Sequence, residues 1–202
     1  MITVLMGKSG SGKNTVADTL CRRNGYKRIL TYTSRPPRLG ETEEDYHFVS
    51  DDVFNKMTGR GEFAEHKAYH PAQGGTWQYG SKITEDQIKS DEHYLLILTP
   101  AGFRDIKKSL PDADIHSVYL YCTTKTLEKR LLKRGDDHRE VIRRLSADEK
   151  DFAWTQNLAY KTIICDTKTP REIAVDIRAS ESRFFRQAVR DEKAADREDD
   201  ER

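Results

Sequence analysis

Short apolar runs alternate along the chain with stretches in which apolar residues recur at helical spacing. The runs that are typical of buried strands lie at 2–6, 29–33, 94–98, 118–122 and 162–165. The stretches that predict helices lie at 14–24, 83–90, 101–110, 126–133, 139–154 and 169–188. Strands and helices in alternation indicate an α/β domain, in which a parallel sheet is flanked by helices on both faces. In such a sheet we expect ligands at the carboxyl ends of the strands.

The segment from about 34 to 82 breaks this alternation. Pro36 and Pro37 exclude a helix there, and short strands are predicted at 46–49 and 62–69, with a helix at 51–56 between them. A Gly- and aromatic-rich stretch follows at 74–81. We therefore predict a core made of residues 1–33 and 83–189, interrupted by a small, mobile mixed-β subdomain. Residues 190–202 are almost all charged or Ala, which predicts a disordered tail.

Length and composition narrow the class of protein. A chain of 202 residues with 36% apolar residues can form one domain with one core. Lys and Arg (35) nearly balance Asp and Glu (34), so no basic excess points to nucleic acid. Three scattered cysteines, the absence of an apolar run of about 18 residues, and a strand directly after Met1 predict a cytoplasmic protein without membrane contact. A monomer and a homodimer both remain open.

The most specific motif follows the first strand. Residues 7–13 read Gly-Lys-Ser-Gly-Ser-Gly-Lys, the G-x-x-x-x-G-K pattern of a phosphate-binding loop, at the required position between a strand and a helix. Glycines let successive N–H groups turn inward around an anion, and the following helix adds positive charge at its N-terminus. The candidate nucleotide-binding residues are Gly7, Ser9, Gly10, Ser11, Gly12, Lys13, Asn14 and Thr15. An ordinary Gly-rich turn is the alternative interpretation.

Arginines cluster at two further places. Arg35 and Arg38 flank the two prolines, which hold the guanidinium groups at a fixed separation suited to phosphate oxygens. Arg130, Arg134 and Arg144 surround a Gly135 hinge between two predicted helices, and we interpret residues 130–150 as a lid for phosphoryl transfer. For each cluster the alternative is that the arginines are only solvated: on an exposed loop in the first case and on a charged helix pair in the second.

Taken together, these segments resemble the guanylate kinase family of P-loop nucleoside monophosphate kinases. The likeness extends from about residue 2 to 177. Besides the phosphate loop it rests on residues 34–41 (SRPPRLGE), 45–49 (DYHFV), 61–65 (GEFAE), 79–81 (YGS) and 144–146 (RLS). The resemblance implies a P-loop parallel sheet with helices on both faces, an inserted nucleoside-monophosphate-binding subdomain and a helical lid. It also implies transfer of the γ-phosphate of Mg-ATP to GMP or dGMP, with nucleotides as the partners of the protein.

The resemblance assigns roles to particular residues. Lys13, Arg35, Arg130, Arg134 and Arg144 match catalytic positions. Glu65 matches the carboxylate that reads guanine. The positions that hold the monophosphate's phosphate group are matched by Thr31, Arg35, Arg38, Tyr46 and Tyr79.

Several positions depart from the family pattern. Ile97 and Thr99 stand where the family usually carries two aspartates, one near the phosphates and metal and one near the guanine amino group. Thr99 can still accept a hydrogen bond from a base, although less strongly than a carboxylate. Asn14 replaces the Ser or Thr that ligates Mg²⁺, and its amide oxygen is our candidate metal ligand. Cys165 stands where an Asn near the ATP base is common.

These departures leave alternatives open. The acceptor can be a different or modified (deoxy)nucleoside monophosphate. The chain can instead be a non-catalytic guanylate-kinase-like interaction module, although such modules typically have a degraded phosphate loop. A kinase for a phosphorylated sugar is a further alternative, which Glu65 and Tyr79 disfavour.

Overall fold

The computed structural model describes residues 1–37, 41–70 and 75–200, with side chains described up to residue 186. The strands are β1 (Ile2–Met6), β2 (Lys27–Arg28), β3 (Tyr32–Thr33), β4 (His47–Phe48), β5 (Glu65–Tyr69), β6 (Trp77–Ser81), β7 (Tyr94–Ile97), β8 (Ile115–Tyr121) and β9 (Lys161–Ile164). The helices are α1 (Lys13–Asn24), α2 (Asp51–Gly59), α3 (Glu85–Lys89), α4 (Pro100–Ser109), α5 (Thr124–Lys133), α6 (His138–Asp151), α7 (Thr155–Leu158) and α8 (Pro170–Asp200).

The larger sheet is parallel and has the strand order β2-β7-β1-β8-β9. Its central strand β1 is buried along its whole length, and its side chains alternate between two apolar clusters. Leu5 joins the cluster that α1, α5 and α8 cover, whereas Val4 packs on the opposite side with α4. The predicted α/β fold, with a parallel sheet flanked by helices, is confirmed.

The smaller sheet has the strand order β4-β3-β6-β5, in which β3 and β4 are parallel and the other pairs antiparallel. It has a small core of its own, where the rings of Phe54 and Phe63 stack with centroids 4.7 Å apart. Gly80 on β6 is required by this packing, because a Cβ there would lie 2.9 Å from the Phe63 ring. The sheet is thus the mixed-β unit that the sequence predicts.

The prediction of one strand over residues 29–33 is wrong, because the first residues of this run bond to the larger sheet and the last ones to the smaller sheet. The Ile29 backbone N–H still donates to Leu95 O of the larger sheet at 2.8 Å. Two residues later Thr31 O accepts from the His47 backbone N–H of the smaller sheet at 3.0 Å. β3 therefore lies within the predicted core range, two residues before the subdomain was expected to begin.

The two C-terminal helical regions also differ from the prediction. α6 ends at Asp151 and is followed by the short α7, because Phe152 turns inward and its ring stacks on Tyr119 at 5.9 Å. α8 continues to Asp200, through much of the segment predicted to be a disordered tail. Nine of the residues 190–202 are Ala, Glu, Lys or Arg, which are strong helix formers, and the other four are Asp. Over the described residues, no helix is long and apolar enough to cross a membrane.

Candidate active site

The phosphate loop (residues 7–13) links β1 to α1, and its backbone geometry depends on glycine. A Cβ on Gly7 would lie 2.4 Å from Ser11 Oγ and 3.0 Å from Leu120 O. Gly10 and Gly12 have φ angles of 82° and 90°, which L-residues rarely adopt. An ordinary turn does not need three such positions, and the conformation matches a loop wound around an anion.

Lys13 is folded back over this loop. Its Nζ donates to Gly7 O at 2.5 Å and to Lys8 O at 3.1 Å. Burial lowers the pKa of Lys13 from 10.5 to about 8, although the nearby Asp148 carboxylate acts in the opposite direction. A bound phosphate group would stabilise this ammonium strongly, because the charge has been removed from water and lies beside an anion-binding loop.

Arg130 on α5 supports the loop from behind. Its Nη1 donates to Gly10 O at 3.5 Å and Ser11 O at 3.4 Å, and its Nη2 donates to Cys165 O at 2.8 Å. The guanidinium therefore holds two loop carbonyls turned away from the anion side. In this position Cys165 contributes its backbone carbonyl rather than its thiol.

A single cavity of about 420 Å³ brings most of the predicted nucleotide-binding residues together. The predicted residues that line it are Gly7, Ser9, Lys13, Thr31, Tyr46, Glu65, Tyr79 and Thr99. Gly10, Ser11 and Gly12 complete the turn of the loop, and Ser11 is buried. Asn14 and Thr15 lie on the exposed first turn of α1 and are not among the lining residues.

Glu65 is buried where the smaller sheet meets α4, and it is only 7% exposed. Ser81 Oγ donates to Glu65 Oε1 at 2.7 Å, which leaves the other oxygen facing α4. Gly102 makes room for it, because a Cβ there would lie 3.2 Å from Glu65 Oε2. Burial raises the pKa of this carboxyl. A ligand that donates hydrogen bonds would compensate for the desolvation.

Thr99 has a structural task that the sequence did not indicate. Its Oγ1 accepts a hydrogen bond from the Gly102 backbone N–H at 3.2 Å, and this caps the N-terminus of α4. Part of the accepting capacity of the hydroxyl is therefore used within the protein. Thr99 still lines the cavity, together with Tyr69 and Trp77 from the smaller sheet.

Arg35 lies behind the cavity wall and is not among the described lining residues. Its side chain is 2% exposed, with Nε donating to Tyr79 Oη at 3.0 Å and Nη2 donating to Glu41 Oε1 at 3.0 Å. The guanidinium also lies 5.3 Å from the ring centre of Tyr46. Arg35 therefore faces a bound ligand through these two tyrosines. Arg38, predicted as its partner in the clamp, lies outside the described residues.

The two remaining predicted arginines are paired with acids around the hinge. Arg134 binds Asp136, and Arg144 donates to Glu140 at 2.7 Å and Asp136 at 3.3 Å. Neither is among the described residues that line the cavity. The neighbouring Arg143 does line it, although it also pairs with Glu140.

Other cavity residues were not predicted as site residues. They are Lys67, Tyr69, His70, Trp77, Ile97, Leu98, Arg143, Asp148 and Phe152. For Arg143 the available signal was its place beside Arg144 at the start of the RLS motif. For Asp148 nothing in the sequence pattern distinguishes it from the other acids of α6.

Comparison with known proteins decides the family. The family model described as guanylate kinase matches residues 1–173. The chain belongs to the guanylate kinase family. The relative from Paraburkholderia xenovorans, itself named guanylate kinase, is 34% identical over 192 residues, which are 93% of this chain and 83% of the relative. A guanylate kinase from Nitrosomonas europaea is 30% identical over 93% of both chains.

Two solved structures show the same fold. A guanylate kinase from Anaplasma phagocytophilum superposes with a TM-score of 0.65 at 22% identity, covering 89% of this chain and 85% of that one. A gluconokinase from Sinorhizobium meliloti superposes with a TM-score of 0.53 at 17% identity, covering 93% and 94%. At these identities the similarity concerns the fold alone. The guanylate kinase assignment rests on the family model and on the sequence relatives.

Guanylate kinase family membership implies Mg²⁺, and the oxygen donors at the phosphate loop fit such an ion only in part. Across the described residues no group of three or more His, Cys, Asp or Glu side chains is placed to hold a metal. Mg²⁺ bound with nucleotide needs only one or two protein ligands, because phosphates and waters supply the others. The Asn14 amide on α1 and the Asp148 carboxylate at Ser9 are oxygen donors of this kind. Asp148 lines the cavity and fits an ion that the nucleotide brings, whereas Asn14 is exposed on α1 and is not among the lining residues.

Proposed function

We propose that the protein transfers the γ-phosphate of ATP to the phosphate of GMP or dGMP. The supporting observation is that one cavity contains a phosphate loop with its lysine and, on other elements, a buried carboxylate suited to a purine edge. Guanine presents adjacent N–H donors (N1–H and the 2-amino group) to Glu65, whereas adenine presents an acceptor at N1 and would leave the oxygen that Ser81 does not bind without a donor. The chemistry requires both substrates side by side with water excluded, and residues of the phosphate loop and of the smaller sheet line the same cavity.

On the donor side, the backbone N–H groups of residues 9–13 hold the triphosphate, and Lys13 leaves the Gly7 and Lys8 carbonyls to neutralise the β- and γ-phosphates. Arg130 keeps the loop carbonyls pointing away from the anion. Mg²⁺, when bound with the nucleotide, neutralises charge on the phosphate oxygens, and Asn14 is our candidate ligand on α1.

On the acceptor side, the hydroxyls of Thr31, Tyr46 and Tyr79 hold the monophosphate. Arg35 donates to Tyr79 Oη and lies against the Tyr46 ring, so it orients both groups and adds positive charge behind them. Arg38 is proposed as the second cationic clamp. No protein nucleophile is needed, because an oxygen of the acceptor phosphate attacks the γ-phosphorus in line.

We further propose that the segments move as three parts. The smaller sheet, within residues 34–82, carries the acceptor onto the core made of residues 1–33 and 83–189. Residues 130–150 close as a lid, which brings Arg134 and Arg144 toward the transferred group. For this the two arginines must exchange Asp136 and Glu140 for phosphate oxygens, and the charge that develops in the transition state favours the exchange.

A coupled assay over a panel of ribo- and deoxyribonucleoside monophosphates with Mg-ATP tests the proposal. We expect turnover with GMP and dGMP, weak turnover with AMP, and a loss of at least about a hundredfold in kcat for Lys13→Ala. Unaltered circular dichroism of that variant shows that the loss is catalytic. No turnover with any monophosphate would refute the proposal.

A retuned acceptor base is a second candidate function, and the structure of Thr99 favours it. Thr99 offers no charge and is partly occupied in capping α4, while Tyr69 and Trp77 add aromatic surface to the same wall. Thr99→Asp should then raise the preference for GMP over IMP, which lacks the exocyclic amino group. An unchanged preference would argue against retuning.

The interaction-module alternative predicts weak or absent ATP binding. Against it stand the three glycine-dependent positions of the loop, the desolvated Lys13 and the bracing by Arg130. None of these is needed to bind a peptide. Isothermal titration calorimetry with ATP separates the two proposals, since an enzyme must bind the nucleotide.

A further inference from the structure

Asp148 is the acidic residue at the phosphate end of the cavity. Two carboxylates belong to the described residues that line the cavity, Glu65 and Asp148. Glu65 lies on β5 against α4, where it accepts from Ser81. Asp148 lies on α6 beside the phosphate loop. A carboxylate beside an anion-binding loop is unexpected, because it would repel a bound phosphate in a partly desolvated site.

The contact of Asp148 with the loop is short and direct. Its Oδ2 accepts a hydrogen bond from the Ser9 backbone N–H at 2.6 Å. Next to it on α6, Glu149 forms an ion pair with Lys8, whose side chain is only 13% exposed. These two contacts place α6 directly over the loop. The Ser9 amide is one of those that we assign to the triphosphate, so a phosphate oxygen must arrive next to this carboxylate.

The nearby Lys13 ammonium offsets part of the repulsion between carboxylate and phosphate. The remainder has two physical solutions. Either the carboxylate leaves, in which case it only competes with the nucleotide, or a divalent cation lies between carboxylate and phosphate. Mg²⁺ in nucleotide sites takes one or two carboxylates together with phosphate oxygens and water. Ile97 at the end of β7 also lines the cavity, and its side chain offers no oxygen donor. Asp148 is therefore the charged oxygen donor available at this end among the described lining residues.

We propose that Asp148 is the carboxylate that ligates the Mg²⁺ of the bound nucleotide, directly or through one water. The inference rests on the proposed phosphotransfer function and deepens it. In the nucleotide-free protein the Ser9 amide keeps the carboxylate in place. When the nucleotide arrives, the phosphate takes the amide and the carboxylate turns to the ion. Because α6 belongs to the proposed lid, metal binding by Asp148 would help to keep this helix over the loop after the Ser9 amide is lost.

The test compares nucleotide affinity with and without metal. Binding of a non-hydrolysable ATP analogue is measured by calorimetry in excess Mg²⁺ and in excess EDTA, for wild type and Asp148→Asn. We expect the gain in affinity that Mg²⁺ provides to fall about tenfold or more in the variant, as for loss of a metal-supporting group. In EDTA the variant should bind more tightly than wild type, because the repulsion is gone. Mn²⁺ binding to the protein–nucleotide complex, followed by water-proton relaxation, should weaken in parallel.

Matched variants keep the result interpretable. Asp151→Asn removes an exposed acid three residues further along the same helix, where it lines a neighbouring cleft, and should leave the Mg²⁺ gain unchanged. Asp148→Glu retains a carboxylate and should retain part of the gain, which also serves if Asp148→Asn is poorly folded. Melting temperatures of all variants are compared first.

Each outcome has one meaning. Equal tightening of Asp148→Asn in Mg²⁺ and in EDTA would make Asp148 a mere competitor of phosphate and overturn the inference. An unchanged Mg²⁺ gain without tightening in either condition would also overturn it, while leaving the phosphotransfer function intact. Failure of the wild type to bind the nucleotide at all would overturn the proposed function, and the inference with it.

Discussion

Binding of ATP should take up protons from solution, and Lys13 should be the group that takes them up. In the free protein burial holds the pKa of Lys13 at about 8. A triphosphate in the loop places several negative charges on the amine, and we expect its pKa to return to at least the ordinary 10.5. The protonated form therefore binds nucleotide, and the deprotonated form binds poorly.

The magnitude follows from these two pKa values. The fraction of deprotonated Lys13 in the free protein is about 0.1 at pH 7, about 0.5 at pH 8 and about 0.9 at pH 9. At each pH the number of protons taken up per nucleotide bound is nearly equal to this deprotonated fraction, because the amine is almost fully protonated in the complex. The dissociation constant for ATP should rise about twofold from pH 7 to pH 8 and about tenfold from pH 7 to pH 9.

Calorimetric titrations in two buffers of different ionisation enthalpy measure this proton uptake directly. Lys13→Arg is the matched control, because its guanidinium stays charged and should show little uptake and a flat pH dependence. Zero uptake at pH 8 by the wild type, or equal uptake by Lys13→Arg, would refute the assignment of the lowered pKa to Lys13.

Two further predictions concern groups away from the phosphate loop. Glu65→Gln should lower kcat/KM for GMP about tenfold to a hundredfold, because a hydrogen bond to a charged group is lost. The melting temperature should stay equal or rise, because a desolvated charge is removed. A loss of stability would show that Glu65 is structural. His116 is fully buried with its pKa lowered to about 4 by desolvation, so the unfolded chain binds a proton below about pH 6.5 and the folded chain does not. The free energy of unfolding should therefore fall between about pH 6.5 and pH 4, by up to about 3 kcal/mol, and urea titrations of His116→Gln should lack this part of the fall.

Local sequence patterns predicted the elements whose determinants lie within a few residues. The apolar run 2–6 forms a strand because both of its faces are buried, and the glycines at 7, 10 and 12 form the loop because only glycine fits their conformation and packing. The pattern at 29–33 gave a wrong prediction, because the same apolar residues are compatible with one continuous strand and with a segment that passes from one sheet to the other. The partner strands decide which occurs, and they are distant in sequence.

The same distinction between local sequence patterns and long-range packing applies to the candidate site. Residue type and spacing predicted the phosphate loop and, together with the other motifs, the resemblance to the family, and that resemblance in turn implied the role of Glu65. Only the tertiary structure decided which side chains reach the cavity: Arg35 is withdrawn behind Tyr79, and Arg143 rather than Arg144 lies in the wall. A motif determines what a residue is able to do. Its access to ligand depends on the packing of elements far apart in the chain, as when α6 brings Asp148 to the amide of Ser9 across 139 residues of sequence.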